Sequence, residues 1–306
     1  PSEVLPVVVA DHGDLCGECP VWDDEAQHLY WIDCVGMKFS RYDWRTSTAC
    51  VVKAGIEICG FRRNLAGGYV VTNSMGVHLW DGGDHLDRIP NPAPGPLNDC
   101  TADPAGRLVT ESYFYAPGTD YALGNLILID NDGSVKILDE GYHLANGLGF
   151  SPDGKTLYAA DSVARRIYAY QYDVSQAVAW NRRIWVQVPA EEGIPDGLAV
   201  DADGFVWSAQ WYGASVVRYD PDGKLERRIA LPAKQVSSVC FGGPDLTELF
   251  ITTASRSEPM PVMPPGYDPD SGLMGGALYR LRTEIRGQRQ MPADIRIRKG
   301  AQSWMS

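Results

Sequence analysis

Positive charge is in short supply: 27 lysines and arginines face 39 aspartates and glutamates over 306 residues, a formal net charge of −12. Such a surface repels phosphate backbones and anionic headgroups, so nucleic acid and membrane are excluded as partners while a cation site is permitted. No apolar run reaches the ~18 residues needed to cross a bilayer. The first residues lack the basic and apolar regions of a secretory leader, and a cytoplasmic protein is expected. Cys16, Cys19, Cys34, Cys50, Cys59, Cys100 and Cys240 are an odd, scattered set, read as reduced thiols buried in strands and not as a disulfide framework. Cys16-x-x-Cys19 has no second Cys or His pair at finger spacing, and the five histidines are scattered, which sets thiolate and imidazole metal sites aside. The absence of a Gly-x-Ser-x-Gly elbow argues against a serine esterase.

What is present is turn chemistry, with 32 glycines and 21 prolines, and it recurs. Ile194 to Tyr212, IPDGLAVDADGFVWSAQWY, holds a polar lead residue, a short apolar run, an Asp-Gly turn and an aromatic-rich strand, the grammar of a β-hairpin. The pattern returns at Asn146 to Asp161, Asn98 to Glu111, Glu18 to Asp33, Ser237 to Thr252 and, more loosely, Cys59 to Thr72. Lead positions at 18, about 58, 98, 146, 196 and 237 stand 40 to 50 residues apart. Repeats of ~40 to 45 residues with four strands each are β-propeller blades. The expected fold is therefore all-β, a six-bladed β-propeller forming one domain over 1–306, with a metal site in its central channel. Residues 1–12 hold the expected ring-closing strand, pairing through 3–10 with Gly275 to Leu281, and 285–306 form a C-terminal arm or tail.

Innermost strands of a propeller begin at one face of the channel. Glu18, a position near Glu57, Asn98, Asn146, Asp196 and Ser237 are therefore expected to converge there. Carboxylates gathered in a narrow, dry channel require a cation or a proton. Oxygen donors suit Ca²⁺, Mg²⁺ or Mn²⁺, and Zn²⁺ also accepts carboxylate; the plainer alternative is that these Asn and Asp residues only cap turns. Around the channel mouth, Tyr113, Phe114 and Tyr121 in the loop from Ser112 to Gly124 read either as a substrate wall or as packing between blades. Glu57 reads as a substrate contact or a solvated loop charge, His143 as a rim residue or a surface histidine, and Trp211 as channel mouth or packing.

The residues at these positions carry a resemblance. Cys16-Gly17-Glu18-Cys19-Pro20-Val21-Trp22, Asn98-Asp99, Asn146-Gly147-Leu148 and Ile194-Pro195-Asp196-Gly197 followed by Trp207 resemble, in order and spacing, the motifs of the senescence marker protein, regucalcin and gluconolactonase family. The resemblance implies one divalent metal held by Glu18, Asn146 and Asp196, and hydrolysis of a small-molecule substrate, a sugar-acid lactone or related ester. It further implies that Asn98 lies at the metal and helps hold substrate, and that Asp196 is also the base. A metal that polarises the carbonyl and acidifies water, beside a carboxylate that accepts the proton, is coherent chemistry for that reaction. Two departures point to a less polar lactone: Pro96 stands where many members carry Arg, and the loop after the third repeat holds Tyr113 and Tyr121 in place of an acidic contact. A non-catalytic calcium-binding or scaffold propeller, and a metal-dependent esterase or phosphotriesterase, are the competing readings. The oligomeric state is left open.

Overall fold

The computed structural model describes residues 5–90, 93–256 and 262–297. Its 24 strands form six four-stranded sheets, each antiparallel throughout, and the expected all-β six-bladed propeller is met. No helix among the described residues is long and apolar enough to cross a membrane. The innermost strands of blades 1 to 6 are Gly17–Asp23, Gly60–Arg63, Leu97–Ala102, Ala145–Phe150, Ile194–Val200 and Val236–Gly242. The sixth sheet ends on the chain's first strand, Val7–Asp11, which pairs with Ala277–Arg282 in the register Val7↔Arg280 to Asp11↔Ala277. Residues 1–4 of the expected closing segment lie outside the described residues.

The inner hairpins of blades 1, 3, 4 and 5 are held at their turns by an aspartate that folds back on the chain. In blade 5, Asp201 Oδ1 accepts the Asp203 and Phe205 amides at 3.0 Å each, and Gly204 takes the φ of +84° that closes the turn. Its other oxygen accepts Trp207 Nε1 at 2.9 Å and Arg218 Nη2 at 2.7 Å. Blade 3 repeats the device with Asp103, which accepts the Ala105 and Arg107 amides and pairs with Arg107 Nε at 2.7 Å. Between blades the core is apolar and aromatic: Trp207 meets Phe241 edge-on at 5.5 Å, and Trp22 stacks on Phe250 at 5.9 Å.

Residues 285–297 contain no strand; they run across the face of the ring opposite the site. An innermost strand turns unpaired backbone groups toward the channel, and this strap answers some of them. Gln288 Nε2 donates to Phe150 O and Val200 O at 3.2 Å, and Gln290 donates to Pro20 O and accepts from Trp22 N at 2.9 Å. Two residues apart on an extended chain, both side chains point the same way. Backbone bonds tie the strap to blade 6 at Leu246, to blade 2 at Arg63 and to blade 3 at Gly106. Gly287 has no alternative, since a Cβ there would stand 2.1 Å from Phe241. Gln290→Ala is expected to lower stability by about 1–3 kcal/mol through the groups it strands, read as a lower urea midpoint at unchanged slope. Residues 298–306 of the expected tail lie outside the described residues.

Candidate active site

Five of the six innermost strands break register just where the lead residue sits. The shifts fall between Glu18 and Val21, Leu97 and Cys100, Ala145 and Leu148, Pro195 and Leu198, and Val236 and Ser238. A bulge re-aims the side chain it contains. Here it places Glu18, Asn98, Asn146 and Asp196 on the floor of one cavity of about 270 Å³. Blade 2 pairs regularly from Gly60↔Thr72 to Arg63↔Tyr69 and supplies no such residue. Ser237, the sixth lead, is turned to Gly17 O and Thr252.

A chain of hydrogen bonds sets the amide of Asn146. Ser162 Oγ donates to Pro195 O at 2.7 Å, so toward Asn146 it acts as acceptor, from Nδ2 at 2.9 Å. That leaves Asn146 Oδ1 as the inward atom, where it also accepts Asn98 Nδ2 at 2.9 Å. Asn98 Nδ2 bonds Ala145 O as well. Asp196 is 5% exposed, and its buried Oδ1 has no hydrogen-bond partner among the described residues. Burial, then the neighbouring Asp196 and Asp99 carboxylates, holds the Glu18 carboxyl well above its usual range. Burial and Asp99 do the same to Asp196. An orphaned carboxylate oxygen beside a second carboxylate and an inward amide oxygen fits a hard divalent ion, and Glu18, Asn146 and Asp196 are the residues that would hold it.

Deeper in the channel lie groups that reading the sequence alone missed. Asp99 is buried, its Oδ1 accepting Cys100 N at 2.7 Å, and burial raises it although Arg62 opposes the shift. Arg62, 7% exposed, donates through Nη1 to Phe61 O at 2.7 Å and Cys19 Sγ at 3.3 Å. Burial pushes the Cys19 thiol up to about 12, so it is neutral. The signals were there: Asp99 sits inside the Asn98-Asp99 motif, and Arg62 is a charge in the short inner strand Gly60–Arg63. Glu111 is fully buried with neither oxygen partnered among the described residues, and burial, then Asp99 and Asp161, holds its carboxyl well above the usual range. A carboxyl raised in the folded state contributes most below its unfolded value, and that contribution is lost as pH rises. Glu111→Gln is therefore expected to leave stability nearly unchanged at pH 4 and raise it at pH 8, with urea unfolding at both as the check.

The cavity walls are largely apolar, from Val35, Tyr115, Leu144, Ile194 and Trp211, with Tyr113 beside them and Arg256 at the rim. Three expected substrate contacts stand elsewhere. Glu57 is bound to the Ser74 hydroxyl at 2.9 Å and amide at 3.3 Å, closing a blade 2 turn. Tyr121 OH and His143 Nδ1 bond each other at 3.0 Å behind Tyr115, whose ring Tyr121 meets edge-on at 5.0 Å. Tyr115 thus takes the wall position expected of Tyr121. Phe114, 36% exposed, packs against Gly95, where a Cβ would meet its ring at 2.4 Å. The thiols are also less uniform than expected: Cys19, Cys100 and Cys240 are buried, Cys50 is exposed, and Cys16 and Cys34 line the cavity. No sequence signal announces Arg256, which joins the cavity lining from the segment after the second strand of blade 6.

Residues 16–255 match the family model described as SMP-30/Gluconolactonase/LRE-like region. The chain belongs to this family. Among its SMP-30/gluconolactonase relatives, a pentonolactonase of Haloferax volcanii is 35% identical over 299 residues, covering 94% of this chain and 98% of the relative. Regucalcin of Xenopus laevis is 34% identical over 78% of this chain and 83% of its own, and a 6-deoxy-6-sulfogluconolactonase of Pseudomonas putida is 32% identical over 84% and 89%. A luciferin-regenerating enzyme superposes with a TM-score of 0.84 at 28% identity, covering 95% of this chain and 100% of its own. Regucalcin of Agrobacterium tumefaciens, at 0.81 and 22% over 95% and 97%, attests the same fold.

Proposed function

We propose that this chain is a divalent-metal-dependent lactonase whose substrate is less hydroxylated than a sugar aldonolactone. The observation that carries the reading is the partnerless Asp196 Oδ1, set beside Glu18 and the inward Asn146 Oδ1 at the floor of an open cavity. Two relatives that bear the names of lactonases support the reaction class. Val35, Leu144, Ile194 and Trp211 on the walls, with Pro96 in the loop before Asn98, support the less polar substrate.

A bound divalent ion would supply Lewis-acid polarisation of the lactone carbonyl and a lowered pKa for water. The residues divide the remaining work. Ser162 and Asn98 fix the Asn146 amide, the apolar walls exclude bulk water and orient the ring, and Asp196 accepts the proton as water oxygen bonds to the carbonyl carbon. The acyl–oxygen bond then breaks, and the ring oxygen leaves as a hydroxyl with that proton. A calcium-binding propeller without catalysis uses the same floor, but leaves the cavity above it without a role.

The test is proton release on a panel from pentono- and hexonolactones to deoxy and alkyl lactones, with chelator-stripped protein and each divalent ion restored. Ion-dependent turnover, fastest on the less hydroxylated members, is expected. Stoichiometric ion uptake without turnover on any lactone would move the assignment to the binding propeller.

A further inference from the structure

We infer that the channel holds a second binding site on the strap face, where the guanidinium of Arg62 takes a small monovalent carboxylate. Arg62 is 7% exposed and makes no ion pair among the described residues. Its two hydrogen bonds both leave from Nη1, to Phe61 O at 2.7 Å and Cys19 Sγ at 3.3 Å. The edge formed by Nε and Nη2, which can grip a carboxylate through two parallel bonds, has no partner among the described residues. A buried cation in that state is unfavourable until an anion meets it.

Arg62 lines a cavity of about 170 Å³ between the inner strands and the strap, with Gln288 and Gln290 on one side and Leu148, Leu198 and Cys240 on the other. Glu18, Asp99 and Asp196 are not among the lining residues. Arg289 and Asp153 are exposed at the edge of the cavity and offset each other, so Arg62 is the buried charge of its lining. One fixed positive charge matches a monovalent anion, while a dianion would leave a negative charge unanswered. The strap glutamines spend amide N–H groups on the carbonyls of Phe150, Val200 and Pro20, which leaves Arg62 as the anchor. The apolar wall suits a short alkyl group behind the carboxylate. Arg62 also borders a larger cavity beside blades 1 and 2, but Asp23, Asp24, Glu25 and Asp81 line that one and repel an anion.

Equilibrium dialysis of the full chain against labelled acetate tests the site. Saturable uptake is expected, with chloride, which cannot span the fork, competing at least about tenfold less well than unlabelled acetate. Arg62→Met is expected to weaken acetate binding at least about tenfold. Asp196→Asn, which alters the floor of the other cavity, is expected to keep the wild-type affinity. Thr101→Asp sets a resident carboxylate in the lining and is expected to exclude acetate, which keeps the inference testable should Arg62→Met fail to fold. Wild-type affinity in a folded Arg62→Met or Thr101→Asp protein overturns the site, as does a wild type that takes up no acetate. Loss of uptake in Asp196→Asn with retention in Arg62→Met overturns it too, by placing the anion on the metal floor. Chloride competing as well as acetate overturns the carboxylate assignment.

Discussion

Asp196→Asn is expected to reduce lactone hydrolysis at least about a thousandfold and to abolish calcium uptake, with the fold retained. The substitution keeps the shape of the side chain and removes its charge and its ability to take a proton. General-base assistance alone is worth ~10²–10⁴-fold, and loss of a charged ligand compounds it. The carboxylate is 5% exposed and its Oδ1 has no partner among the described residues, so the asparagine breaks no hydrogen bond of that oxygen. Steady-state rates on the best lactone of the panel and calorimetric calcium titration are the readouts. Retention of wild-type turnover by a folded Asp196→Asn protein would remove Asp196 from the mechanism.

The largest expected loss of stability comes from a residue far from the chemistry. Asp201→Ala removes the partner of Arg218, whose side chain is 6% exposed while that of Asp201 is 0% exposed. It also strands Trp207 Nε1 and the turn amides of Asp203 and Phe205. Breaking a buried ion pair from one side destabilises by about 3–5 kcal/mol. The second partner of Arg218, Glu226 at 3.2 Å, lies at the edge of the contact and compensates only in part. Chemical denaturation of the metal-free and calcium-loaded protein checks the figure; a loss below about 1 kcal/mol in both would show that Arg218 finds its charge partner elsewhere.

The two substitutions mark the boundary of what could be read in advance. Asp201 sits in an Asp-Ala-Asp-Gly turn whose grammar is local, and the recurrence of such turns every 40 to 50 residues was enough to count blades. Asp196, Glu18, Asn98 and Asn146 were legible because each leads a repeat. Glu57 misled because its repeat is loose: blade 2 has no bulge, so its lead side chain is not swung into the channel and binds Ser74 instead. Tyr121 and His143 misled because a loop carries no periodicity from which to tell the lining side of an aromatic cluster from its back.

The sequence by itself determined the blade count, the polarity of each inner strand and the identity of the residues at its head. These follow from alternation, turn residues and spacing, all set within a few tens of residues. Tertiary structure alone decided which of those heads face one another, that Ser162 sets the Asn146 amide, that Asp99 lies near Glu18 and Asp196 with Arg62 on Cys19, and that a C-terminal strap answers the inner strands from the far face. The physical reason is that those contacts join residues from different strands and, apart from Ser162 with Asn146, from different blades or the strap, whose approach depends on ring closure and bulge geometry and leaves no local pattern in the chain.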